Sequence, residues 1–211
     1  SNVTLISLVN TDATNGKAVK VRFRGAANSD DLFDFIIYLS PSDVWTGMIN
    51  RDANGKGKIV TDDASCMTGL YRSSKIPQPP ENGHFSTVRL GKQFPTDPLI
   101  APTLPNQTRE GYIEIFNMAD IAPKLWVTNA TPSLGVFGTA DNPVYTGIKH
   151  AAGVASCAGL SALETDAGFW AGLTPPSTGL MGEWLILNQQ TAAAFGGTAT
   201  AIQALNVSNK P

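Results

Sequence analysis

Residues 17–24 read Lys-Ala-Val-Lys-Val-Arg-Phe-Arg, and residues 32–39 read Leu-Phe-Asp-Phe-Ile-Ile-Tyr-Leu. In the first run Val19, Val21 and Phe23 alternate with Lys20, Arg22 and Arg24. That period of two belongs to a strand with one buried and one wet face. The second run has almost no polar break: Phe33, Phe35, Ile37 and Leu39 share one face, and Asp34, Ile36 and Tyr38 share the other. A strand apolar on both faces belongs inside a sheet with something packed on each side. Ser40-Pro41-Ser42-Asp43 ends it, because proline donates no ladder bond and serine and aspartate close turns with their own side chains. Residues 44–49 restart as a strand, and Asn54-Gly55 marks a hairpin before Ile59-Val60-Thr61. The sequence predicts four successive strands forming one antiparallel meander over residues 17–61.

Outward from this stretch, residues 3–9 read as a first strand, followed by turn composition up to Gly16. Residues 73–107 carry Pro77, Pro79, Pro80, Pro95, Pro98, Pro102 and Pro105. Prolines this dense forbid a regular helix or central strand. We expect a proline-rich excursion there, with at most a short strand at residues 86–90. Residues 112–118 alternate well enough to rejoin the sheet, and residues 125–128 and 143–148 read as short strands. One short helix is expected at residues 157–164, a central strand at 183–188, and a loop followed by a helix from Thr198. The fold class is all-β: an antiparallel, immunoglobulin-like or jelly-roll sandwich, residues 1–211 forming one domain.

Charged residues are 15% of the chain, against about 25% in an average soluble domain. The surface is therefore largely Thr, Ser, Asn, Gln, Gly and Ala, which docks without desolvating many charges. A net charge of −2 leaves no footprint for nucleic acid. No apolar run approaches the roughly 18 residues of a spanning helix, so no membrane insertion is expected. Lys20, Arg22 and Arg24 read as one solvated strand face rather than a polyanion site.

No chemistry-bearing constellation rises above chance. There is no Gly-x-Ser-x-Gly elbow. His84 and His150 lie in a proline-rich loop and beside a glycine-rich segment, and we read both as surface residues. No metal is expected: the cysteines lack zinc spacing, and residues 52–63 resemble a calcium loop only until Lys56 falls on a ligand position. Asp30-Asp31 and Asp62-Asp63 sit in turns, where aspartate is expected on backbone grounds. Trp45, Trp126, Trp170 and Trp184 read as core packing rather than a sugar-stacking platform. Asn2, Asn106, Asn129 and Asn206 open glycosylation sequons of little weight in so Asn- and Thr-rich a chain. No cofactor and no enzymatic activity are expected.

Several pieces together resemble a group of proteobacterial cell-surface or secreted proteins. They are Leu8-Val9-Asn10-Thr11, residues 17–24, Asn28-Ser29-Asp30 with Asp34-Phe35, and Leu39-Ser40-Pro41-Ser42-Asp43-Val44-Trp45-Thr46. Residues 61–66, 109–115, 179–184 and 197–201 fit the same pattern. The resemblance implies an extracellular or cell-surface location and a sandwich fold, and its motifs are turns and strand faces rather than an active site. The resembling proteins are longer at both ends, and we read this chain as processed or as part of something longer. Cys66 and Cys157 are the only cysteines. The resemblance favours one disulfide between them over two buried thiols.

The expected function is a structural subunit of a surface filament or layer whose partners are copies of itself. The alternative is a surface domain binding glycan or another ligand, with a secreted hydrolase third. Assembly is expected through β-strand or loop contacts, with Val3, Leu5, Ile6, Leu8 and Val9 as interface residues donated to a neighbour's sheet.

Overall fold

In the computed structural model the described residues are 2–26, 29–68, 83–87, 104–127, 136–160 and 171–202. They form an antiparallel β-sandwich. Five strands make one sheet: β1 (Asn2–Asn10), β4 (Val44–Arg51), β5 (Gly57–Val60), β12 (Leu180–Asn188) and β13 (Ala193–Thr198), in the order β13-β12-β1-β4-β5. The second sheet holds β2 (Gly16–Gly25), β3 (Asp31–Leu39), β6 (Cys66–Thr68) and β7 (Gly111–Ile121), in the order β6-β3-β2-β7.

The decisive stretch behaves as its alternation requires. Val19, Val21 and Phe23 face inward opposite Ile37, Phe35 and Phe33 of β3. They meet Ile6 and Leu8 of β1, Trp45 of β4 and Ile59 of β5 in one core. Each such side chain contributes about 1.5–3 kcal/mol by leaving water. Phe85 closes one end, its ring centroid 4.8 Å from that of Phe23. On the wet side Lys20 pairs with Asp34, Arg22 with Asp31 and Arg24 with Glu114.

The meander is split. β2 and β3 pair in one sheet, β4 and β5 in the other, and the Ser40–Asp43 turn carries the chain between them. Asp43 builds that corner: its carboxylate accepts from the amide and hydroxyl of Ser40, and Ser42 takes φ +57.

β3 is covered on its second face too. There α2 (Pro143–Ile148), β10 (His150–Ala151) and β11 (Val154–Ala155) supply Val144, Ile148 and Ala155 to a second cluster with Ala18, Tyr38 and Ile121. Cys66 and Cys157 are disulfide-bonded inside this cluster. Residues 143–148 are thus a helix, not the expected strand. Asn142 caps it by accepting from the Val144 amide, and Pro143 opens it, outweighing the β-propensity of Val144 and Thr146. The remaining elements are α1 (Leu104–Gln107) and the hairpin of β8 (Lys124–Val127) with β9 (Val136–Asp141).

Two further expectations change. The helix does not start at Cys157, since Cys157 and Gly159 have positive φ; a 3-10 turn begins at Leu160, and residues 161–164 lie outside the described residues. Nor does one start at Thr198: residues 193–198 extend along β12 as β13. Of the proline-rich excursion, residues 83–87 and 104–107 are described. Residues 83–85 bond to the edge of β5, residues 86 and 87 form no strand, and residues 88–90 lie outside the description.

Candidate functional site

The two histidines lie against carboxylates that close turns. The ring of His84 lies 2.7 Å from Asp52, whose carboxylate also accepts from the Lys56 amide across the Asn54-Gly55 hairpin. Partial burial opposes ionisation of Asp52. The Lys56 amide and the His84 ring outweigh that, holding its carboxyl below the usual range.

His150 stands beside an acid and a serine, yet the three form no relay. A catalytic imidazole takes the serine on one ring nitrogen and the acid on the other. Here Nδ1 is the atom near both, 3.5 Å from Ser40 Oγ and 3.6 Å from Asp43 Oδ2. The Ser40 hydroxyl gives its proton to Asp43 directly, at 3.1 Å, which makes it a turn lock.

Lys17 and Asp120 form a buried ion pair at 2.8 Å. Its remaining valences are taken by Ser177, whose amide donates to Asp120 and whose hydroxyl lies 3.3 Å from the ammonium. Asp120 and Thr174 also exchange backbone hydrogen bonds. The pair fastens residues 174–177 to the end of β7. It is an anchor, satisfied on both sides as a buried pair must be.

Two surfaces stand out instead. The first is a cleft of about 770 Å³ between the sheets, where β12 and β13 extend past the cover given by β7. Ile113 and Ile115 form one wall, and Ile186 and Trp184 the other. Trp184 is on the core-facing side of its strand yet 38% exposed, and Phe195, in register with Ile186, is 65% exposed. Both strands beside the cleft are sheet edges. Among the described residues β13 pairs only with β12, and β7 has β2 on one side, with Thr174 meeting it at Asp120 alone. Edges are ordinarily blunted by lysine, proline or a bulge. Along β13, Ala-Ala-Phe-Gly-Gly-Thr offers no charge and no proline, and residues 111–117 of β7, ahead of the bulge at Met118, carry only Glu114.

The second surface is the outer face of the five-stranded sheet. Leu5 lies between Leu185 and Met48, and Met48 pairs onward with Val60, an apolar row across four strands. Leu5 is 36% exposed, the others in the row half-buried. A hollow of about 790 Å³ runs over this row toward Asp62, Asp63 and Glu183.

The expected interface residues divide between these layers. Ile6 and Leu8 are buried in the chain's own core. Val3, Leu5 and Val9 lie on the outer face of the same strand. Donation of this strand is corrected: β1 is the middle strand of its own sheet, bonded to β12 and β4. Among the tryptophans, Trp45 is fully buried, Trp126 packs edge-on against Phe137 in the β8–β9 hairpin, and Trp184 is not core. Trp170 lies outside the described residues. Both surfaces had a sequence signal in β12, where Trp184 and Ile186 alternate with Leu185 and Leu187, so that neither face is wet.

No protein-family model, curated protein or solved structure matches the chain.

Proposed function

We propose that this chain is a non-enzymatic structural subunit of an extracellular surface filament or layer, assembled through strand contacts between copies. The observation that carries the reading is the cleft between the sheets, flanked on each side by a strand edge left unpaired among the described residues. An extended segment from a neighbour laid there pairs its backbone with β7 or β13 and its side chains with Ile113, Ile115, Trp184 and Ile186. The neighbour contributes a different surface from the one it contacts, so the contact repeats head to tail and makes an open polymer. The disulfide supports an oxidising compartment, since such bonds persist outside the cytosol.

The test is sedimentation and electron microscopy of the purified chain beside Phe195→Lys, a change at an exposed position of the β13 edge, in register with Ile186 of the cleft wall. Polymers that grow with concentration in the parent and disappear in the variant, at an unchanged melting temperature, are expected. A parent that stays monomeric at every concentration overturns the reading.

A second reading, glycan binding, draws on Tyr112 and Phe116. They are 47% and 43% exposed on the outer face of β7, about 13 Å apart by strand rise, beside the ion pairs that join β2 to β3 and to β7. Flat aromatic rings amid polar groups suit pyranose stacking. Binding of polysaccharide that Tyr112→Ala abolishes is its signature.

A further inference from the structure

The outer face of the five-stranded sheet carries an apolar row with opposite charges on its two sides. The row is Leu185, Leu5, Met48 and Val60. On one side of it Lys58, opposite Asn50 in the ladder, has no ion-pair partner among the described residues. On the other side Asp62 and Asp63 rim the hollow with Glu183. Asp63 spends its oxygens on the Thr46 and Ser65 amides, whereas Asp62 is exposed and unpaired among the described residues. Lys58, Val60 and Asp62 follow at every second residue, so base, apolar centre and acid lie in a line about 13 Å long.

We propose that this face pairs two copies of the chain about a two-fold axis lying in the interface. Charge selects the axis direction. A two-fold parallel to the strands turns β5 onto β13 of the other copy and sets Lys58 over Ala194, which gains nothing. A two-fold running across the strands, along the apolar row, turns β5 onto β5. Lys58 of each copy then faces Asp62 of the other, and Leu5, Met48 and Val60 meet their own counterparts. The contact is isologous: one patch serves both copies, and each charge pair occurs twice. Sheets stacked this way sit about 10 Å apart, the spacing at which apolar side chains from two faces interdigitate. The occupant is a second copy because one face holds both halves of the complementarity. This contact is separate from the cleft and does not depend on it. A closed two-fold contact added to an open head-to-tail one joins filaments in pairs.

Charge exchange tests it, read by sedimentation equilibrium of the full chain. Lys58→Glu and Asp62→Lys singly are each expected to weaken dimerisation by about tenfold, since each turns two exposed attractions into two repulsions. The double variant K58E/D62K restores the pairing and is expected to return close to the parent affinity, a recovery that altered stability of a monomer does not give. Met48→Cys, on the axis, is expected to cross-link to itself under mild oxidation. All variants are made also in the Phe195→Lys background, where the cleft contact is lost and this dimer remains. Two results overturn the proposal: a parent monomeric in both backgrounds, or a double variant no better than the single ones.

Discussion

At position 47 the five-stranded sheet has room for a hydrogen and nothing more. A β-carbon there would stand 2.4 Å from Cη2 of Trp45, whose ring lies across the glycine of its own strand. Trp45 is fully buried, so the ring has nowhere to retreat. Gly47→Ala is therefore expected to cost about 1–3 kcal/mol, the range for overpacked cores, read as a lower urea midpoint at unchanged slope. The family of short turns around Asp52 sets a second test. Its carboxyl is held below the usual value, so the stability it contributes is present above the unfolded value near pH 4 and is lost as pH falls through the folded one. The melting-temperature gap between the parent and Asp52→Asn is expected to be widest above about pH 5 and to close in stronger acid. A gap that holds constant down to that acid range means Asp52 is not stabilised as a carboxylate.

Among elements, the layer outside β3 depends most on a covalent tie. Cys66 and Cys157 are separated by 91 residues, a loop for which the chain-entropy model gives about 4–5 kcal/mol. The layer is also closely fitted: a β-carbon at Gly147 would meet the Ala158 carbonyl at 1.7 Å. Its cluster is separate from the core between the sheets. The double variant C66A/C157A is expected to lose about that stability and to become protease-sensitive first within residues 143–160, before the strands of the sandwich. Simultaneous cleavage throughout would show one cooperative unit. This layer also marks how far the sequence could be read. The alternation of Val19, Val21 and Phe23 settled β2, and the doubly apolar β3 required cover on both faces. What supplied the second cover was not legible, because Val144-Tyr145-Thr146 has strand propensity and the cap that overrides it is local to Asn142-Pro143. The segment before Thr198 misled in a similar way: read as a loop, residues 193–198 follow β12 because pairing with a neighbour outranks intrinsic preference.

At the scale of the whole molecule, sandwich and disulfide were legible, while the assignment of strands to sheets was not. A four-residue turn looks the same whether the chain stays in its sheet or crosses to the other, so Ser40–Asp43 gave no sign of the crossing. The candidate surfaces were only half legible, in the doubly apolar β12, for a related reason. Trp184 reads as core from its neighbours, and only the shorter reach of the opposing sheet leaves it in an open cleft. The same topology reverses the expectation for the first strand. A strand held at an edge for donation to a neighbour could be removed and leave a soluble, assembly-incompetent subunit. β1 instead bonds to β12 along Asn2–Asn10 and to β4 from Thr4 to Val9, and it places Ile6 and Leu8 in the core. Without it no strand among the described residues joins β12 and β13 to β4 and β5, and two core side chains are lost at about 2–5 kcal/mol each. That sum approaches the whole stability of a typical domain. Deletion of residues 2–10 is therefore expected to give insoluble or unfolded protein, with no cooperative thermal transition. Recovery of a folded, soluble subunit that regains assembly when a peptide of residues 2–10 is added would mean the strand is exchangeable between copies after all.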